Sequence, residues 1–300
     1  MSSTLTQPPS RNLFRPVCWA LLISGLLALV PVQKRIDGER GFYAPIEDIL
    51  YMPSGNILHR LSLGNEGLLA DIYWTRAVQY FGRKRLDKDV RFDLLGPLLR
   101  ITTELDPHLL IAYRFGAIFL AARAPEGAGY PEEAILLLRR GIVTNPDYWR
   151  LWQDMGFIYY WDLKDYKRAV QAFLTGSEQP GAQVWMKAVA AMVAAKGGDS
   201  EASKLLWSEI YRHAENNQMR ESALEHLAAL TAQDQIQILN RLLRQFRSSK
   251  GHAAASFEEL VAAGSLRAVP RDPSDAPYVI GPDGEAALGR KSKVKLRLLL

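Results

Sequence analysis

Small residues recur beneath large ones through the middle of this chain, and they do so in pairs of short helical segments. Trp152, Gly156 and Tyr159 fall on one face of a first helix, and Ala169 and Phe173, four apart, on one face of a second. Pro146 stands ahead of them and Pro180 behind. The arrangement repeats upstream, with Ala112, Phe115, Gly116 and Phe119, then Ala134 and Leu138, closing at Pro146. Downstream it reads Met186, Val189, Ala190 and Val193, then Ala202 and Leu206. A weaker unit opens the series: Trp74, Ala77, Val78 and Phe81, then Leu95 and Leu99, ending at Pro107. Gly116, Gly156 and Ala190 let a partner helix come near. Asp106-Pro107 and Asn145-Pro146 suit the exit from one helix and the turn into the next.

These residues resemble the tetratricopeptide repeat, a helix–turn–helix unit with a period of roughly 34 residues. The resemblance implies an all-α fold, an α-solenoid in which each unit covers its neighbour's apolar face. It implies a partner-binding, non-catalytic role without cofactors. The first helices of successive units would line a concave groove displaying Tyr113, Arg150, Gln153, Phe157, Tyr160 and Lys187. Tyrosine and arginine are frequent anchors at protein interfaces, and the mixture suits a peptide with an acidic or carboxylate end. Phe157 and Tyr160 read equally well as core between repeats. The chain departs from the family in three places. Residues 124–131 lengthen one turn, the unit from 181 lacks the glycine and the closing proline, and Gly96-Pro97 sets the start of a second helix or kinks it. Apolar residues make up 48% of the chain, enough for such a domain, placed at residues 66–247, to bury a core.

The N-terminus is a different object. Residues 16–32 carry no charge, with Arg11 and Arg15 before them and Lys34 and Arg35 after. As a helix the run spans about 25 Å, short of a hydrocarbon core of about 30 Å, and flanking Arg and Lys side chains can snorkel across the difference. No small-residue cleavage site follows it, so the segment reads as an uncleaved single-pass anchor, with a cleaved export signal as the alternative. Positive charge on both flanks leaves orientation undecided by the charge rule. A short tail, residues 1–15, ahead of a single span places the amino terminus in the cytoplasm. The main domain is then in the periplasm of a bacterial inner-membrane protein. The lone cysteine, Cys18, lies in the span and offers no intramolecular disulfide.

Residues 33–65 read as a linker. The stretch from Tyr51 to Phe81 resembles the opening of bacterial membrane-anchored tetratricopeptide proteins, which implies shared architecture. Asp71 and Arg76 within it are either a buried polar pair or a solvated edge.

The last segment, 248–300, changes character. Ser256 with Glu259 three residues on forms a capping-box pattern for a short helix, and Gly264 is its stop. Tyr278–Ile280 and Glu285–Leu288 flank the turn sequence 281–284, the pattern of a hairpin. The prolines and Asp-Pro from 266 to 284 resemble a segment of type II secretion pseudopilins, without their N-terminal signature. The tail from Lys291 alternates basic and apolar residues: a third strand on the hairpin, or a basic patch toward anionic lipid.

Motifs that carry chemistry are absent from the sequence: no His-Glu-x-x-His, no paired cysteines, no phosphate-binding glycine loop, no nucleophile elbow. Glu209 and His213, four apart, fall short of a metal site. The net charge of +5 owes much to the tail, and no nucleic-acid module carries it. The expected function is a membrane-anchored scaffold for a protein or peptide partner. An assembly factor of a secretion or pilus system and an accessory module of an envelope enzyme are the alternatives.

Overall fold

The computed structural model describes residues 14–40 and 55–299, and among them the fold is mostly α-helical. The chain divides into two units, Met1–Met52 and Pro53–Leu300. The first is described only by helix α1 (Phe14–Arg40), which carries Pro31 within it. Its described apolar side chains are exposed, from Val17, Trp19 and Leu21 to Leu29 and Val30. Among the described residues no helix is long and apolar enough to cross a membrane. Part of the expected linker, 33–40, belongs to α1, and the expected tail at 1–13 lies outside the described residues, as does 41–54.

The second unit begins with α2 (Gly55–Leu61) and continues through four helix pairs: α3 (Glu66–Leu86) with α4 (Leu95–Leu105), α5 (Leu110–Ala121) with α6 (Pro131–Thr144), α7 (Trp149–Trp161) with α8 (Tyr166–Ser177), and α9 (Trp185–Lys196) with α10 (Ser200–Arg212). From α3 to α10 each helix packs on the next, α2 packs on α4, and α5 also packs on α7, one pair along. Local signals set the ends. Pro131 opens α6, with Glu132 and Glu133 in its first turn. The carboxylates of Asp165 and Asp199 accept the Arg168 and Ala202 amides at the starts of α8 and α10. Helix α4 starts at Leu95, so Pro97 sits in its first turn and leaves it unkinked.

Glycines govern how near the helices come. A Cβ on Gly156 would stand 2.8 Å from the ring of Phe173, so α8 lies directly on α7. A Cβ on Gly116 would meet Leu99 of α4 at 2.7 Å and Leu137 of α6 at 3.2 Å. Two glycines on second helices do the same: Gly141 faces the Tyr113 ring at 2.8 Å, and Gly176 faces Met186 and Trp152 at 2.6 Å. Ala190 is fully buried. The corners between pairs are tied as well. The Asn145 amide donates to the Pro107 carbonyl at 2.9 Å, and its oxygen lies 2.9 Å from the His108 ring.

The expected pattern fails in places with physical causes. Val78 and Phe115 turn outward and are exposed. On α10, Ser203, Trp207 and Ile210 are buried, while Ala202 and Leu206 are only half-buried. The Ser203 hydroxyl donates to the Ala191 carbonyl at 2.8 Å, which fixes α10 one residue away from the expected face. Asp71 and Arg76 are both exposed, at a solvated edge.

Helix α11 (Asn217–Lys250) is 34 residues long and ends at Gly251, whose φ of 79° suits the left-handed cap. Its first half packs on α10. Its second half presents Leu239, Leu243 and Phe246 to a small core with Phe257, Leu260, Tyr278 and Ala286. Phe257 and Leu260 come from α12 (Phe257–Ala262). The expected capping box does not form: Glu259 accepts the amide of Ala255, one residue before the cap, at 2.8 Å, and the Ser256 side chain caps nothing. The hairpin is short, β1 (Val279–Ile280) against β2 (Ala286–Ala287). It is docked on α11 rather than free, since Tyr278 donates to Gln235 at 2.7 Å and Asn240 accepts the Ala286 amide at 2.6 Å. The tail forms no third strand. It ends in a 3-10 turn, Leu296–Leu299, against α9 and α11.

Replacing Gly156 with leucine overpacks the α7–α8 contact and costs about 1–3 kcal/mol. The expected readout is a lower thermal midpoint with helicity retained at low temperature. An unchanged midpoint would refute the contact with Phe173.

Candidate partner-binding face

The six residues expected to form a groove do not make one site. Tyr113 is a correction: it is 2% exposed, with its ring in the space that Gly141 leaves. Burial raises the pKa of its hydroxyl. The expectation drew on first helices alone, and the residue that makes room for this ring is on a second helix. Arg150 is half-buried, its guanidinium 4.4 Å over the Trp149 ring and 5.8 Å over Tyr148. Gln153 is half-buried on the same helix. Lys187 pairs with Glu209 at 2.7 Å, and that hydrogen bond holds the Glu209 carboxyl below its ordinary range. These two line a small cavity with Gln183 and His213. The His213 ring meets the Glu209 backbone carbonyl, so the two side chains do not converge on a common ion. Among the described residues, no group of His, Cys, Asp or Glu is placed to hold a metal.

Phe157 and Tyr160, both on α7, do come together with residues of three other helices. Both line a cleft of about 260 Å³ with Val189 and Met192 of α9, Trp207 of α10 and His226 of α11. Phe157 is stacked on Trp161 at 4.5 Å and set edge-on to Phe173 at 5.1 Å. It therefore belongs partly to the contact within its own pair and partly to the cleft wall. Trp207 is stacked on His226 at 3.9 Å. The His226 ring N–H donates to the Ser222 carbonyl at 2.8 Å. The indole N–H of Trp207 is buried with no hydrogen-bond partner among the described residues. Leu298 and Leu299 close one side of the cleft.

Trp207, His226 and Met192 escaped sequence reading. Trp207 sits off the expected face of α10, and His226 lies where the small–large pattern has faded. Only the exposed apolar residue Met192, one helical turn from Ala188, carried a local signal.

A larger cavity of about 600 Å³ opens between α6, α7 and α8, with Arg139, Tyr159 and Arg168 in its lining. Both of its cations are engaged. Arg139 donates to the Tyr159 hydroxyl at 3.3 Å, and Arg168 pairs with Asp165 at 2.6 Å.

The first helices are held in register by a charge pair. Arg114 of α5 reaches Asp154 of α7 through Nε at 2.6 Å and Nη2 at 3.2 Å. Asp154 is 6% exposed. Burial pushes its carboxyl above the usual range, and the guanidinium pulls part of that back. The same hydrogen bond raises the Arg114 pKa.

No protein-family model, curated protein or solved structure matches the chain.

Arg114→Ala leaves a buried carboxylate without its partner and costs about 3 kcal/mol, the low end for breaking such a pair. Arg114→Met with Asp154→Leu removes both charges and should recover most of that loss. Chemical denaturation of the two variants measures it, and a double variant as unstable as the single would overturn the assignment.

Proposed function

We propose that the chain is a membrane-anchored helical scaffold of the tetratricopeptide-like solenoid type, which holds a protein or peptide partner and does no chemistry itself. One observation supports this most: the first helices keep large apolar side chains in water. Phe115 and Ile118 on α5, Trp161 on α7 and Met192 on α9 are all more than 40% exposed. Exposed apolar groups of this size, repeated from pair to pair, mark an interaction surface. Rings run on between pairs on part of it, with Phe119 stacked on Phe81 at 4.0 Å and in contact with Trp74 and Phe115. The packing of α5 on both α6 and α7 supports stacking of the solenoid kind.

The exposed apolar side chains of α1 support an anchoring role for that helix, and we propose a bacterial inner membrane as its place, with the larger unit in the periplasm. The uncharged run lacks a cleavage site, so the full chain should stay in the membrane fraction after carbonate washing. A shortened soluble product beginning near Gln33 would show instead that the segment is removed.

Crosslinking on intact membranes, followed by affinity capture, tests the scaffold. One stoichiometric partner is expected. Its identity distinguishes a secretion or pilus component from an envelope enzyme. Phe115→Ser with Trp161→Ser should cut recovery about tenfold or more, as loss of aromatic anchors does, with the melting temperature nearly unchanged. Full recovery by this variant would exclude the first helices as the binding face.

A further inference from the structure

The chain already places a peptide-like segment in its own cleft. Residues 293–299 follow the hairpin and are tied to the turn that precedes it, where the Ser274 hydroxyl accepts the Lys293 amide at 3.0 Å. They cross to α11, where Lys295 pairs with Glu225. They end in the 3-10 turn, with Leu299 against the core of Ala191, Trp207 and Leu230.

We propose that this segment is an internal stand-in, and that the cleft between α7, α9 and α11 binds a partner segment of the same chemistry, leucine-rich and flanked by basic side chains. The inference deepens the scaffold reading and rests on it. Three observations carry it. The tail's charge pair with Glu225 is exposed on both sides and contributes at most about 1 kcal/mol, so Leu298 and Leu299 hold the tail chiefly by apolar contact. It underfills the cleft, leaving about 260 Å³ open beside Phe157, Tyr160, Val189 and Met192. Trp207 of the cleft wall is 3% exposed, and its indole N–H has no hydrogen-bond partner among the described residues. The chemistry follows from what meets the tail: leucine side chains against aromatic and aliphatic walls, with Lys196 also in the lining, and outside the cleft a lysine against Glu225. This favours a basic segment over the acidic one expected from Arg150 and Lys187, both of which are occupied elsewhere.

A tethered occupant competes at an effective concentration in the millimolar range, so the cleft should be largely closed to free peptide until the tail is loosened. The probe is a fluorescein-labelled peptide with the sequence of residues 291–300, titrated into the full chain in detergent and read by anisotropy. Lys295→Glu and, separately, Leu298→Asp with Leu299→Asp loosen the tail. Both should bind the peptide at least tenfold more tightly than the unaltered chain. Adding Met192→Lys, at an exposed position on the cleft rim, should abolish that gain, since it removes an apolar wall and repels a basic peptide. Circular dichroism checks that each variant is folded, and Lys295→Glu lies at the surface, where folding is not at stake. Equal affinity in the unaltered chain and the tail variants would overturn the proposal, as would a gain indifferent to Met192→Lys. If partner capture on membranes persists while the peptide shows no gain, this inference falls and the scaffold reading stands. If neither peptide nor partner binds, both fall.

Discussion

The ring of Phe173 occupies the space that a side chain on residue 156 would need. The rest of the helical stack depends on contacts of this kind. With a Cβ at residue 116, 141, 156 or 176, a neighbouring side chain would have to give way, and the helix carrying it would move outward. Close approach is not confined to the two helices of one pair. Gly116 is pressed by Leu99 from the pair before it and by Leu137 from its own. Gly176 meets Met186 at the start of the next. The glycines therefore set both the spacing inside each pair and the spacing from pair to pair, which is why a local change at one of them is felt beyond its own helix.

Apolar contact of this sort fixes distance more firmly than direction. Direction comes from a few polar ties. The Arg114–Asp154 pair joins α5 to α7 with two hydrogen bonds to one buried carboxylate. Asn145 bridges to the Pro107 carbonyl and the His108 ring, so consecutive corners share a hydrogen-bonded joint. The Ser203 hydroxyl pins α10 on α9. Each of these uses a group that would be costly to bury unpaired, so the wrong rotation of a helix is penalised more than the right one is rewarded.

The helical class was legible because small and large residues alternate at helix spacing, and that alternation placed the close approach of a second helix at Gly156, though not the Phe173 ring that fills the space. What was not legible has specific causes. Tyr113 looked like a groove residue because its own helix gives no hint that Gly141, on another helix, clears a place for it. The face of α10 was misread because serine at position 203 carries no apolar signal, yet its hydroxyl decides the rotation. The tail read as a strand by alternation. However, β2 is only two residues long and offers little edge to pair with, and the Lys293 and Val294 amides go to serine hydroxyls instead. The cleft itself draws on α7, α9, α10, α11 and the tail. No pattern within a single repeat unit could have assembled it.

Helix α11 has a consequence for the order in which the chain can mature. It is one continuous rod of about 50 Å that serves two cores at once. Its first half completes the last helix pair as soon as it is made. The stripe of Leu239, Leu243 and Phe246 on its second half has no cover until Phe257, Leu260, Tyr278 and finally Ala286 have left the ribosome. During that interval the nascent protein presents a folded stack ending in a bare apolar helix. The hairpin acts as its lid, so a released chain cut short before Tyr278 would leave the stripe bare, whereas one that includes Ala286 can cover it.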